Sequence, residues 1–140
     1  MKLYQYYQPN KKDFKDRQGD CAIRAITKFF NISWLEAFDG LVQYARETQK
    51  MVNSKDNLEL YMKDRGVVYT SVYNAKAKNK MTVSEFAKKH KAGTFILYVR
   101  TGYNTHLVCC SDGQYYDTWD CGKRIVYGYC QLTPPNCSGN

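Results

Sequence analysis

The stretch Gln18-Gly19-Asp20-Cys21-Ala22-Ile23-Arg24-Ala25-Ile26-Thr27 decides how the chain is read. A polar turn containing glycine passes directly into an apolar run, and a cysteine stands at the junction. Ala22, Ala25, Ile26 and Phe29 recur at helical spacing, and Ile23 and Phe30 widen the stripe. Residues 21–30 are therefore expected to form a short central helix that is buried on most sides. Arg24, Thr27 and Lys28 are its polar exceptions. Asp20 occupies the N-cap position, where a short carboxylate is expected to accept from orphan N–H groups. A helix start suits thiol chemistry, because its partial positive charge and unpaired N–H groups stabilise a thiolate. The same N–H groups can hold an oxyanion formed beside the sulfur.

Outward from this helix, Ser33-Trp34-Leu35-Glu36 is a capping box, followed by an apolar stripe of Trp34, Phe38, Leu41, Val42 and Ala45. A third helix is expected from Asn53–Asp56, with Leu58, Tyr61 and Met62 inward and Arg65-Gly66 as its stop. Val67–Tyr73 is β-branched and reads as a strand. Residues 74–80 read as a solvated basic loop. Thr82-Val83-Ser84-Glu85 is another capping box, opening a helix through His90, which is expected to make a C-terminal cap contact. Four strands then follow, at 94–100, 106–111, 114–119 and 124–130. Before the first helix, residues 1–17 read as an extended segment lying as a loop or sheet edge, and residues 131–140 as a flexible tail. Helices first and an antiparallel sheet afterwards make an α+β arrangement in one domain over 1–140, with neither repeat nor domain boundary.

Asp112-Gly113 is a two-residue hairpin signal, and it makes a second candidate set testable by register. If these two residues form the turn, Ser111 pairs with Gln114, Val108 with Asp117 and His106 with Trp119. His106, Val108 and Cys110 then share a face with Tyr115, Asp117 and Trp119, which puts Asp117 diagonally beside His106. A carboxylate there can hold an imidazole tautomer and stabilise the imidazolium. Asp120 falls on the other face by this count, and a slip of one residue would exchange the two. Cys21 is thus the candidate nucleophile, His106 its base and later its acid, and Asp117 the orienting group. The oxyanion would meet the Cys21 N–H and one side-chain donor. Gln18 is the first choice for that donor, and Gln5, Gln8 and Asn10 are the other amides ahead of the helix.

A cysteine opening a central helix, a histidine on a later strand and an aspartate on the next resembles the papain-like cysteine peptidases. Gly19-Asp20-Cys21-Ala22-Ile23-Arg24-Ala25-Ile26 resembles the cysteine motif of ovarian-tumour-type deubiquitinases. His106-Leu107-Val108 and Tyr116-Asp117-Thr118-Trp119-Asp120 are similar to the His/Asp region of the peptidases that trim bacteriocin leaders. Short proteins of this pattern occur in bacteriophages and mobile elements, and the chain resembles those. The resemblance implies a papain-like α+β fold, with the cysteine-opened helix packed on a C-terminal antiparallel sheet. It implies hydrolysis of amide, isopeptide or thioester bonds in a protein or peptide substrate through an acyl-enzyme, with no cofactor. Deamidation and acyl transfer share that acyl-enzyme and stay open.

Several other functions are argued against by composition. No apolar run approaches a membrane span, and the N-terminus lacks a signal-peptide core, so a cytoplasmic location is expected, in a host cell if the protein is phage-encoded. In that reducing compartment the six cysteines are expected to be thiols. Cys109, Cys110, Cys121 and Cys130 contain no Cys-x-x-Cys pair, and no metal is expected. The net charge of +8 favours an acidic partner, but the lysines are dispersed and no arginine-dense tract marks a nucleic-acid site. The rival to an enzyme is a non-catalytic papain-like protein that uses this basic surface to hold an acidic protein or nucleic acid. A lone cysteine is most often a small buried hydrophobe, so the enzyme reading rests on the conjunction of Cys21, His106 and Asp117.

Overall fold

The computed structural model describes residues 2–13, 15–16, 18–72, 80–102 and 104–132. Four helices and six strands are formed among them. In chain order they are β1 (Tyr4–Tyr6), α1 (Cys21–Phe30), α2 (Trp34–Thr48), α3 (Lys55–Asp64), β2 (Val67–Ser71), α4 (Val83–Lys89), β3 (Thr94–Thr101), β4 (Asn104–Ser111), β5 (Gln114–Asp117) and β6 (Val126–Leu132). The fold is α+β, and the strands form one sheet in the order β1-β5-β4-β3-β6-β2.

The sheet is mixed, which corrects the antiparallel expectation. β1 runs parallel to β5, with Tyr4 opposite Tyr115 and Tyr6 opposite Asp117. Three residues carry too little alternation to announce a strand, and the partner lies more than a hundred residues away, so only the closed tertiary structure selects this pairing. The other pairings are antiparallel.

Helices cover both faces of the sheet. Ala22, Ile26, Leu41, Leu58 and Tyr61 from α1–α3 pack against Ile96, Tyr98, Leu107 and Cys109. Val83, Phe86 and Ala87 from α4 pack against Leu97, Val99, Val108 and Tyr115 on the opposite face. This double cover explains why β3 is buried without interruption from Phe95 to Val99. The α2 stripe is centred on Ala37 and Leu41, the two buried residues of that helix, while Trp34 and Phe38 stack at its edge with ring centroids 5.2 Å apart. Leu58 is 0% exposed. Leu58→Ala is therefore expected to cost about 2–5 kcal/mol, read as a lowered urea midpoint with an unchanged slope.

Local chemistry sets most boundaries. Ser33, Ser54 and Thr82 each accept from the backbone N–H three residues on, at 3.1, 3.2 and 3.1 Å. Gly66 ends the α3 connection at φ +75°, a conformation glycine adopts without Cβ strain. Asp112 and Gly113 both have positive φ, +49° and +82°, the signature of a type I′ hairpin. Ser111 pairs with Gln114 and Cys109 with Tyr116, the register expected from the turn. His90 contacts the Phe86 carbonyl through Nδ1 at 2.9 Å.

Other boundaries move. The strand expected at 114–119 stops at Asp117, so His106 and Trp119 do not form a ladder pair. The strand expected from Arg124 starts at Val126, because the Arg124 N–H closes a turn on the Cys121 carbonyl at 3.0 Å. Gln131 and Leu132, assigned to the tail, instead pair with Val68 and Val67. The strand expected at 67–73 ends at Ser71. Tyr73, the basic loop at 74–79 with Lys76 and Lys78, and the tail from 133 with Cys137 lie outside the described residues.

Candidate active site

Three chain ends meet at one end of the sheet. α1 begins at Cys21, β4 begins two residues before His106, and β5 ends at Asp117. The register puts Asp117 opposite Val108, diagonal to His106, and the two side chains join: His106 Nε2 lies 2.5 Å from Asp117 Oδ2. That bond leaves Nδ1 for the other side of the ring, and the Cys21 thiol is close enough to the imidazole and to the Leu107 N–H for both to draw its pKa down. Cys21 is half-buried, whereas His106 is 8% and Asp117 1% exposed. The structure thus brings Cys21, His106 and Asp117 into one connected set.

Asp117 is held from several directions. Its Oδ1 accepts from Arg24 Nη2 at 3.2 Å and from its neighbour's backbone N–H, Thr118, at 2.7 Å. Its own carbonyl accepts from Tyr4 Oη at 3.1 Å and the Tyr7 N–H at 2.9 Å, so β1 pins the end of β5. The Cys121 sulfur, 0% exposed, lies within 4.8 Å of the carboxylate on the core side. The second arm of Arg24 binds Asp20 Oδ1, and Asp20 Oδ2 accepts from Trp34 Nε1 at 2.8 Å. Asp20 holds the N-cap position but makes no side-chain cap, contrary to the sequence expectation. A buried guanidinium four residues on outcompetes neutral N–H groups for its carboxylate.

Charge follows from this wiring. Burial alone would push the Cys21 thiol up. The His106 hydrogen bond and charge, the Leu107 N–H and Arg24 outweigh it, and the net displacement is downward. Burial would push His106 down, but its bonds to Asp117 and Cys21 raise it to about 9. Burial instead pushes up the thiols of Cys109, Cys110, Cys121 and Cys130. Among the described residues Cys21 is the cysteine whose thiol is shifted toward the thiolate, while the others are shifted away from it.

The set opens into a cleft of about 650 Å³. Gln18 is exposed and lines this cleft beside Cys21. The other candidates do not line this cleft: Gln5 donates to the Lys2 carbonyl at 3.1 Å, Gln8 donates to Asp16 at 2.9 Å, and Asn10 accepts from the Lys12 N–H at 3.1 Å. Asp120 does not reach His106; its Oδ1 accepts from Tyr115 Oη and, at 3.0 Å, from the Gly122 N–H. His106, Asp117 and Cys121 also cluster with donor atoms within 4.8 Å of one another. The Arg24 cation already on that carboxylate opposes a second cation there.

Sequence reasoning missed the second tier of this site, namely Arg24, Trp34 and Cys121. One signal was present: Arg24 is a full charge on a helix that is otherwise apolar on most sides, and such a charge demands a buried partner. Trp34 and Cys121 read as ordinary core residues.

Compared with protein-family models, with curated proteins and with solved structures, the chain matches none. Among the described residues no helix is long and apolar enough to cross a membrane.

Proposed function

We propose that the protein is a papain-like cysteine hydrolase that cleaves amide, isopeptide or thioester bonds in a protein or peptide substrate. The observation that carries this reading is the Cys21 thiol at a helix N-terminus, lining one open cleft with His106, whose Nε2 lies 2.5 Å from Asp117. Each step has a named group. The Cys21 thiolate attacks the carbonyl carbon and its electron pair moves onto oxygen. That oxyanion is met by the Cys21 N–H and the Gln18 side-chain amide. Imidazolium at His106 gives its proton to the leaving group as the C–N or C–S bond breaks, leaving a thioester. Neutral His106 then takes a proton from water, hydroxide oxygen attacks the thioester, and the thiolate departs. Asp117 keeps the ring oriented and stabilises the imidazolium in both halves.

Direct testing uses a peptidyl electrophile and intact mass. One equivalent is expected on the protein, none on Cys21→Ala, and slow addition on His106→Ala. Labelling spread over other cysteines and indifferent to His106 would refute the reading. Turnover should then depend on pH in a defined direction. Amide cleavage needs imidazolium, so its rate is expected to fall as pH rises through about 9, where His106 loses its proton. Gln18→Ala is expected to lower the acylation rate by about a hundredfold, in line with loss of one oxyanion donor. Iodoacetamide, which forms no oxyanion, should react with that variant at nearly the wild-type rate.

A further inference from the structure

A second cleft of about 690 Å³ adjoins the first, and Trp119 lines both. The Trp119 ring stands 5.0 Å from the His106 ring, between centroids, and is 36% exposed. It therefore forms an apolar ledge leading directly from the reacting groups. Beyond the ledge stand Lys123 and Arg124, both exposed, with the Arg124 guanidinium 5.7 Å from the Trp119 ring. Neither cation has an ion-pair partner among the described residues.

The two clefts differ in charge. The first is lined by Asp16, Asp20, Arg24 and Lys55, which cancel. The second is lined by Asp120, Lys123 and Arg124, two positive groups against one negative. One oxygen of the Asp120 carboxylate, Oδ1, accepts from Tyr115 Oη and the Gly122 N–H, which orients the acid along the wall. The net charge presented to a ligand is cationic.

We propose that this second cleft is a substrate subsite for a carboxylate side chain, Glu or Asp, carried on a peptide whose scissile bond lies at Cys21. The inference rests on the hydrolase reading and specifies its substrate. The peptide backbone passes over Trp119, whose ring covers apolar stem atoms, and the acidic group meets Lys123 and Arg124. Both cations are solvent-exposed, so each contact is modest and sensitive to salt.

The test uses N-acetyl tripeptide acyloxymethyl ketones that carry Glu, Gln or Lys at each position in turn. The second-order rate of addition to Cys21 is read by intact mass, and each rate is divided by the same protein's iodoacetamide rate. At one position Glu is expected to react about tenfold faster than its isostere Gln, and Lys slower than Gln. The Glu preference should shrink in 0.5 M salt and invert in the double variant Lys123→Glu/Arg124→Glu. Equal Glu and Gln rates at every position would overturn the subsite, as would a preference that survives the double charge reversal. A His106-independent iodoacetamide reaction would instead sink the hydrolase reading, and the subsite with it, so the two failures are distinguishable.

Discussion

In His106→Ala, alkylation of Cys21 by iodoacetamide at pH 6.5 is expected to be about 10- to 100-fold slower than in the wild type. The thiolate is the reacting species, and an ordinary thiol with a pKa near 8.5 is only about 1% ionised at that pH. His106 supplies the two largest influences that lower the Cys21 pKa. Without them burial dominates, and the thiol moves to the upper side of the ordinary range. Intrinsic nucleophilicity offsets part of the loss, since each tenfold gain in thiolate lowers reactivity about threefold. The sign is visible in the pH profile as well. Wild-type rates should rise less steeply between pH 6.5 and 8 than those of the variant, which should rise about tenfold per pH unit. Peptide mapping in a Cys137→Ser background assigns the modification, and the buried, raised thiols of Cys109, Cys110, Cys121 and Cys130 give a low baseline. Parallel profiles for the two proteins would show that His106 does not activate the sulfur.

Loss of the Arg24 cation should produce the largest change in stability. Arg24 is 7% exposed, and its guanidinium bridges Asp20 and Asp117. Arg24→Ala leaves two buried carboxylates without their shared partner, and truncating one member of a buried pair costs about 3–5 kcal/mol. Arg24→Lys keeps the charge but not the planar fork that spans both carboxylates, so an intermediate loss is expected. Asp20→Leu/Arg24→Met removes two of the charges together and should recover much of the stability. Urea midpoints report the series. A near-wild-type midpoint for Arg24→Ala would mean that water or another group satisfies the two acids. Trp34→Phe, which removes one hydrogen bond to Asp20, should cost only about 1–2 kcal/mol.

The two arms of Arg24 give the site its particular construction. The helix that opens with the thiol also carries, one turn later, the cation that fixes the carboxylate behind His106. Cys21 and Asp117 are thus positioned by one rigid element, and the imidazole sits between them.

Much of this arrangement was legible in the chain because its determinants are local. The helix at 21–30 follows from the spacing of Ala22, Ala25, Ile26 and Phe29, and two helix starts follow from the Ser33 and Thr82 hydroxyls facing their own backbone. The hairpin register follows from Asp112-Gly113, whose positive φ values define the turn. Once that register is set, the diagonal placement of His106 and Asp117 is geometry. What the residues could not announce was anything requiring two distant segments to agree. β1 joins β5 only because a finished strand edge exists beside it, 111 residues away from Tyr4. Asp20 abandons its cap for Arg24 only because burial makes an ion pair worth more than a bond to a neutral N–H. The end of β5 at Asp117 is held by Tyr4 and Tyr7, which both donate to its carbonyl from a segment far away in the chain. The sequence by itself determined the helix that carries the thiol and the hairpin that carries the histidine and aspartate, because propensity, capping and turn strain act within a few residues. The tertiary structure alone decided that the two units meet, which groups hold them together, and that the meeting point opens beside a cationic ledge, because desolvation and long-range pairing have no local signature.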